Sequence, residues 1–465
     1  MLRQAGTFVK RLREALDRSL FKAAPADAVR FGDWRGAAIF VAFLTLATVM
    51  QLLRLGPSNA FNSLWAEDGP VFLGEAMAHD FFHVATITHG EYLVALPRLI
   101  GEVGAVAPLY HAPMVMALIA ALVIALSGLT VWFASAGQIH NPYLRALLVT
   151  LMVLCPVSTI EGVASPTNVA WYTAFGVFWL LLWRPATTWG ACLAALLILV
   201  TGLSTPVLVF FLPIVFLRMI AIRSFRDTLI IGAYAVGTAI QVHVLAQSEE
   251  HLNTPVWTRH IITAFLQRVV DSSALGLELG GSTWADWGWP FLIAIVAAVA
   301  AALIVLLLRA ASGRLFAVIA IATSATMFMA SAYNRAPLGD LMVWPTDGYN
   351  ALGGRYAIIP VLLLVSAALA LMDSAFPLSR GHRLATVAMA TVLLISVVTS
   401  FDVHGGSDRG GPPWDESLRT ATEQCYSEDL AEVSVYTAPE GWSMVIPCDR
   451  LVSTDKSAGQ PNVTR

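Results

Sequence analysis

Apolar runs of about 20 residues recur along most of the chain, separated by short polar stretches. A run of this length crosses a hydrocarbon core of about 30 Å as a helix. A helix also satisfies its backbone hydrogen bonds internally, as lipid requires. The pattern predicts an all-α membrane protein, a polytopic bundle of about eleven transmembrane helices. The predicted spans are 36–55, 112–135, 144–160, 168–183, 187–202, 205–222, 227–246, 289–308, 315–333, 355–373 and 384–401.

The composition agrees with a bilayer as the solvent of this chain. Hydrophobic residues make up 57% of the sequence and charged residues 13%, whereas soluble domains carry about 25% charged residues. A water-exposed surface of ordinary composition is therefore excluded. The net charge of −3 gives no reason to expect nucleic acid as a partner.

The distribution of basic residues predicts how the chain is oriented. Segment 1–35 is rich in Lys and Arg, which predicts a cytoplasmic amino terminus by the positive-inside rule. Alternating from there through the transmembrane domain 36–401 puts the long segments 56–111, 247–288 and 334–354 on the outer side, together with the tail 402–465. Small residues at 58 and 60 leave a cleaved signal peptide as an alternative for the first span.

The tail contains features of a small folded unit. A helical pattern runs from Trp414 to Cys425, and stretches 433–437 and 442–448 have the composition of short strands. Cys425 and Cys448 both lie in this tail, which the topology assigns to an oxidising compartment. We therefore expect a disulfide that staples the unit, the alternative being two free thiols.

The first outer segment carries two adjacent acids, Glu67 and Asp68, beside Trp65 and before Gly69-Pro70. Apolar and aromatic neighbours are expected to raise the pKa of at least one of them, which suits a carboxylate that abstracts a proton. In a purely structural interpretation Asp68 caps a helix that begins at about Pro70.

Further along this segment, the stretch THGEYLVALPRLIGE contains His89, Glu91, Tyr92 and Arg98. It is typical of a loop followed by a helix on the outer face. An arginine on that face is explained if it binds an anion, because a guanidinium matches phosphate oxygens. The alternative is that Arg98 extends to a lipid headgroup.

A second concentration of polar residues surrounds the loop 334–354. It supplies Arg335, Arg355 and Tyr356, and Gly353-Gly354 allow the backbone to come close to a ligand. Two interpretations of these arginines compete: they bind the phosphate group of a ligand, or they anchor the chain at the lipid headgroups. In the third outer segment Arg268 and Asp271 are three residues apart, which predicts an ordinary salt bridge on a surface helix.

The sequence contains no Walker loop, zincin motif, Cys-x-x-Cys pair, serine elbow or Rossmann glycines. The predicted spans hold almost no charge, whereas transporters usually place ionisable groups near the midplane. The acids and arginines are concentrated in the outer segments, which favours an enzyme working at the outer surface.

This layout resembles the GT-C superfamily of membrane glycosyltransferases, which use polyprenyl-phosphate sugars. The resemblance implies that Asp68 or Glu67 is the base for the acceptor hydroxyl, and that Arg98 and Arg355 hold the donor phosphate. A divalent cation, Mg or Mn, is possible in such a site with Glu67 and Asp68 as its ligands, but no clean Asp-x-Asp pair is present. The further substrate contacts implied near these positions are His89, Glu91, Tyr92, Arg335 and Tyr356.

The leading hypothesis is transfer of a sugar from a polyprenyl-phosphate-linked donor to a glycan, lipid or protein acceptor. The reaction is expected on the outer face of a bacterial cytoplasmic membrane. Two other classes compete with it: a glycolipid transporter or flippase without chemistry, and a structural partner in an envelope assembly.

Overall fold

The architecture is that of an all-α membrane protein. The structure is a computed structural model that describes residues 2–23, 34–221, 224–247, 258–335, 353–375, 380–403 and 410–457. Within those ranges six helices are long and apolar enough to cross a membrane, and five shorter apolar helices accompany them. Each predicted span contains one of these helices, so the predicted fold class is confirmed.

The helices follow one another with few strands between them. In chain order the α-helices are α1 Leu2–Ser19, α2 Trp34–Leu55, α3 Pro57–Phe61, α4 Glu75–Ala78, α5 Phe81–Thr86, α6 Ala95–Val106, α7 Ala112–Ala134, α8 Pro142–Val153, α9 Val169–Leu182, α10 Thr188–Gly202, α11 Leu212–Ala221, α12 Phe225–Ala246, α13 Thr258–Phe265, α14 Ser272–Arg309, α15 Arg314–Arg335, α16 Arg355–Ala375, α17 Arg380–Thr399, α18 Trp414–Glu428 and α19 Cys448–Ser457. The strands are β1 Thr88–His89, β2 Tyr92–Leu93, β3 Glu432–Tyr436 and β4 Ser443–Pro447. Strand β1 pairs with β2 and β3 pairs with β4, both antiparallel. Short 3-10 turns span Ala66–Asp68, Leu109–His111, Ser135–Gly137 and Pro206–Phe211, and π-helical turns span Gly69–Gly74 and Leu266–Asp271.

The segment after α8 departs from the predicted span 144–160, because the helix ends at Val153. Pro156 cannot continue the hydrogen-bond ladder of the helix. The carbonyls of Cys155 and Ser158, which lie beyond the end of the helix, accept hydrogen bonds from the buried guanidinium of Arg54, at 2.9 and 3.1 Å. Residues 154–168 therefore form a buried loop although their composition is apolar.

The third predicted outer segment is helical from Thr258 onward and runs into the long helix α14. Two glycines with positive φ, Gly276 at 74° and Gly288 at 57°, interrupt that helix. Arg268 and Asp271 are only 1% and 2% exposed. Their predicted place on a surface helix is wrong, because this turn packs against α16 within the bundle.

The amino-terminal helix docks on one end of the bundle. Its Asp17 pairs with Arg184 at 2.6 Å, Arg13 Nε donates to the carbonyl of Ile220, and Lys22 reaches the hydroxyl of Ser312. The connections that follow α9, α11 and α14 thus meet α1 at the same end. Because successive spans alternate in direction, the loops at 154–168 and 203–206 lie at the opposite end.

The tail packs against the first long segment. Helices α18 and α19 enclose the hairpin β3–β4, and the disulfide Cys425–Cys448 joins the two helices across a Cα–Cα distance of 5.6 Å. The predicted disulfide and strands are confirmed. Trp414 is buried, and its indole N–H donates to the carbonyl of Leu109 at 2.9 Å. The apolar core of the tail is therefore continuous with the core of the bundle.

Candidate active site

A cavity of about 590 Å³ opens at the end of the bundle remote from α1. It is bordered by the first long segment, the loop before α9, the loop after α10, and the ends of α12, α15 and α16. Six of the residues singled out from the sequence line it, namely Glu67, His89, Glu91, Tyr92, Arg355 and Tyr356. A second, apolar part of the wall is supplied by Val207, Val209, Phe210, Leu245 and Ala330.

Glu67 presents its carboxylate to this cavity. Its Oε1 lies 3.8 Å from Nε2 of His89, and its side chain is 21% exposed. Burial raises the pKa of Glu67, but the interaction with His89, a backbone hydrogen bond and the charge of Arg355 outweigh that effect. The pKa of Glu67 consequently lies below its ordinary value, the opposite of the shift expected from apolar neighbours. The carboxylate is ionised near neutral pH and is available as a proton acceptor.

Asp68 is adjacent to Glu67 in sequence but is not among the residues that border the cavity. In a 3-10 turn consecutive side chains are about 120° apart, so neighbouring residues face different surroundings. Asp68 is 2% exposed. Its Oδ1 accepts from the backbone N–H and the hydroxyl of Thr167, at 2.9 and 2.7 Å, and its Oδ2 accepts from Ser165. Within the described chain its carboxylate makes no capping hydrogen bond to the following helical turn. Asp68 thus fastens the first segment to the loop before α9.

The hairpin β1–β2 brings three further side chains to the cavity. Its two-residue turn has positive φ at Gly90 and Glu91, at 55° and 75°, as a type I′ turn requires. Gln241 of α12 holds this hairpin from outside: its amide donates to the carbonyl of Leu93 at 2.8 Å and accepts from the Leu93 N–H at 3.0 Å. A buried polar side chain in an apolar helix therefore fixes the position of His89.

Arg355 stands at the first turn of α16 and is anchored by Glu161. The Arg355 N–H donates to Oε1 of Glu161 at 3.2 Å, and Nη1 lies 3.6 Å from Oε2. The Glu161 side chain is 3% exposed, whereas that of Arg355 is 32% exposed. The guanidinium lies 5.3 Å from the ring centroid of Tyr356. One side of the arginine is thus paired, and the other borders the cavity.

Arg98 and Arg335 are placed differently from the residues above. The Arg98 side chain is 2% exposed and its Nη1 pairs with Glu75. Arg98 is not among the residues that border the cavity. Arg335 ends α15, and its side chain lies outside the described part of the chain. Ser331, one turn earlier, lines the cavity.

Sequence reasoning missed several residues that build the site. Thr167, Gln241 and the anchoring role of Glu161 depend on contacts between distant segments. Gln241 left a weak signal, as a polar residue inside an apolar run, and the SPTN stretch before α9 left another. Neither signal identifies its partner.

Among the described residues, no group of three or more His, Cys, Asp and Glu side chains has the spacing to hold a metal ion. Glu67 and His89 form only a pair, and Asp68 faces Thr167. The side chains in the described ranges therefore supply no set of three such ligands for a cation.

Comparisons with known proteins give a limited result. No family model matches the chain, and no curated protein matches it. Among solved structures it is similar to the archaeal oligosaccharyltransferase AglB from Archaeoglobus fulgidus, solved in complex with an inhibitory peptide and a dolichol-phosphate. The TM-score is 0.37 at 14% identity, and the match covers 85% of this chain and 59% of that chain. This chain therefore spans less than two thirds of that protein.

Proposed function

We propose that this protein is a membrane glycosyltransferase that moves a sugar from a polyprenyl-phosphate-linked donor to an acceptor on the extracytoplasmic face of a bacterial cytoplasmic membrane. The observation that carries the proposal is that an ionised carboxylate, Glu67, and a partly paired cation, Arg355, border one cavity that also has an apolar wall. These three features are what a lipid-linked phosphosugar donor requires of its site.

Glu67 is the general base of the proposed reaction. The acceptor hydroxyl oxygen attacks the anomeric carbon of the donor, Glu67 takes the hydroxyl proton, and the bond from that carbon to the phosphate oxygen breaks. The electron pair leaves with the polyprenyl phosphate. His89, 3.8 Å from the carboxylate, helps to hold Glu67 in its ionised form before the reaction.

Arg355 binds the donor phosphate. Its guanidinium stabilises the negative charge that develops on the leaving phosphate. Glu161 and Tyr356 hold the arginine in place, so little reorganisation is needed when the donor arrives. The apolar wall that includes Val207, Phe210 and Leu245 accommodates the first part of the polyprenyl chain.

The remaining candidates receive supporting roles. Tyr92 and Glu91 lie where a sugar hydroxyl or an acceptor would meet the hairpin turn. Asp68 holds the Glu67 segment against Thr167, and Arg98 stabilises the same region through Glu75. In this proposal the donor contacts neither Asp68 nor Arg98.

The test uses purified protein in nanodiscs and a set of radiolabelled undecaprenyl-phosphate hexoses, with membrane extract as the source of acceptor. Glu67→Gln keeps the size of the side chain but removes the base, and it is expected to lower kcat about 100-fold or more. Binding of unlabelled undecaprenyl phosphate is expected to persist. Glu14→Gln is the matched control, because Glu14 is 52% exposed on α1 at the other end of the bundle.

Arg355→Gln is expected to weaken undecaprenyl phosphate binding and so to raise the KM for the donor. Undiminished transfer by Glu67→Gln would remove the assignment of the base. If labelled donor instead appeared unmodified in the opposite leaflet of sealed proteoliposomes containing the protein, the protein would be a transporter.

A further inference from the structure

The carboxy-terminal tail makes a backbone ladder with the segment that carries Glu67. The Ala66 N–H donates to the carbonyl of Ala438, and the Ala438 N–H donates to the carbonyl of Leu64 at 2.9 Å. At the start of α18 the Trp414 N–H donates to the carbonyl of Asn62 at 2.8 Å. Segment 62–66 is thus joined to the tail by an isolated parallel bridge between Trp65 and Ala438 and by the hydrogen bond to Trp414.

The contact continues just beyond Glu67 through side-chain packing. A Cβ added at Gly69 would lie 2.8 Å from Cγ2 of Thr437, which is closer than two carbon atoms approach. The φ of Gly69 is −78°, outside the left-handed region, and the three atoms nearest to such a Cβ all belong to Thr437. At Gly74 a Cβ would only make ordinary contact with Met444, at 3.6 Å, so of the two glycines the close approach is confined to Gly69.

Ala66 has a backbone conformation that is rare for a residue with a side chain. Its φ is 45°, a value that persists only where the surroundings hold it. The N–H of Ala66 itself donates to Ala438, and the N–H of Ala438 donates to Leu64, two residues earlier. The direction of the chain at Ala66 determines that Glu67 faces the cavity while Asp68 faces Thr167.

We propose that segment 437–438 of the tail positions Glu67 for catalysis, with the disulfide Cys425–Cys448 holding the tail in the shape that does so. The inference rests on the proposed function where it treats Glu67 as the base. The tail touches the Glu67 segment from the side away from the cavity, so segment 437–438 acts through that segment and not on the substrate.

The first experiment places a methyl group between the two surfaces. Gly69→Ala is expected to push segment 437–438 away and to lower kcat about tenfold while the KM for undecaprenyl-phosphate hexose changes little. Thr437→Ala removes the atom that collides and leaves the backbone hydrogen bonds possible. The double variant Gly69→Ala/Thr437→Ala is therefore expected to recover kcat to within about twofold of the parent.

A structural measurement accompanies the kinetics. It distinguishes a failure of the proposed role of segment 437–438 from a failure of the proposed role of Glu67 as the base. Amide hydrogen exchange is measured by mass spectrometry. Its rate in peptides covering 62–74 is expected to be higher in Gly69→Ala than in the parent protein, and to return to the parent rate in the double variant. The hairpin at 88–93, held by Gln241, serves as the internal control and is expected to stay unchanged. If Glu67→Gln proved fully active but this exchange pattern held, the assignment of the base would fail and the tail contact would stand.

Removal of the disulfide tests the same idea from a distance and covers the case that Gly69→Ala does not fold. The variant Cys425→Ser/Cys448→Ser is expected to show faster exchange at 62–74 and lower kcat, while its bundle peptides exchange as in the parent. Unchanged exchange at 62–74 in both variants would overturn the proposal. Loss of kcat in Gly69→Ala without recovery in the double variant would also overturn it.

Discussion

Glu161 holds Arg355 at two points, since its Oε1 accepts the backbone N–H at 3.2 Å and its Oε2 lies 3.6 Å from Nη1. The loop after α8 and the first turn of α16 are joined by this pair. The buried carboxylate determines where the exposed side of the guanidinium points. A side chain that binds a phosphate group needs such a fixed orientation.

Replacement of the anchor is the first prediction. Glu161→Gln keeps an acceptor for the Arg355 N–H but removes the charge partner of the guanidinium. Because Arg355 is about a third exposed, water screens part of the loss, and we expect the protein to be destabilised by about 1–2 kcal/mol. The KM for the donor is expected to rise through the misplaced arginine. Thermal unfolding and initial rates measure the two effects, and an unchanged KM would contradict the proposed role of Arg355.

Much of this arrangement could be predicted from the sequence, and the reasons are specific. Each predicted span overlaps an apolar helix of the described chain, because length and composition determine which segments can cross a bilayer. Cys425 and Cys448 could be paired because the topology predicted from the sequence puts both in an oxidising compartment and no other cysteine is in the tail. The choice between Glu67 and Asp68 could not be made, since it depends on the backbone at Ala66 and on contacts with the tail.

The features that could not be predicted depend on contacts between residues that are far apart in the sequence. Glu161 and Gln241 act on Arg355 and Leu93, and neither pairing leaves a periodic signal in the sequence. The end of α8 at Val153 is another case, because Arg54 supplies the hydrogen bonds that make a buried loop possible. The guanidinium of Arg98 could be predicted to bind an anion of the substrate, but in the structure its charge partner is Glu75.

The pH dependence of transfer provides a second prediction. The charged and titratable groups facing Glu67 are His89 and Arg355, with Glu91 on the same cavity wall. The interaction with His89, a backbone hydrogen bond and the charge of Arg355 hold the pKa of Glu67 below its ordinary value of 4.5. The ionised base is therefore present above that pKa, and activity is lost as the pH falls through it. The acid limb of the rate profile of the parent protein is expected below pH 4.5.

His89→Gln tests the cause of this shift. Loss of the imidazole is expected to move the acid limb to higher pH, because one of the groups that lower the pKa of Glu67 is gone. His83→Gln is the control, since His83 is exposed and does not line the cavity. An acid limb that stays in place in His89→Gln would show that His89 does not act on the base.

The hairpin clamp leads to a third prediction. Gln241→Leu keeps the volume of the side chain but leaves the N–H and carbonyl of Leu93 without this partner, at a cost of about 1–3 kcal/mol. The hairpin is expected to loosen, so hydrogen exchange at 88–93 rises and kcat falls as His89 moves. Gln247→Leu, an exposed glutamine near the same helix end, is expected to change neither. Slow exchange at 88–93 in Gln241→Leu would contradict the clamp.

The sidedness of the bundle is the fourth prediction, and the proposed chemistry depends on it. Helix α1 docks at the end opposite the cavity, and its basic composition predicts that this end is cytoplasmic. Cys192 is an exposed free cysteine and Cys155 is buried, so Cys192→Ser gives a suitable background for labelling. Ser427→Cys on α18 is expected to react with a membrane-impermeant maleimide on intact spheroplasts, because the tail lies at the cavity end. Glu14→Cys on α1 is expected to react only after the membrane is opened. The reverse pattern would put Glu67 and Arg355 on the cytoplasmic face, where an extracytoplasmic acceptor could not reach them, and the proposed reaction would have to be abandoned.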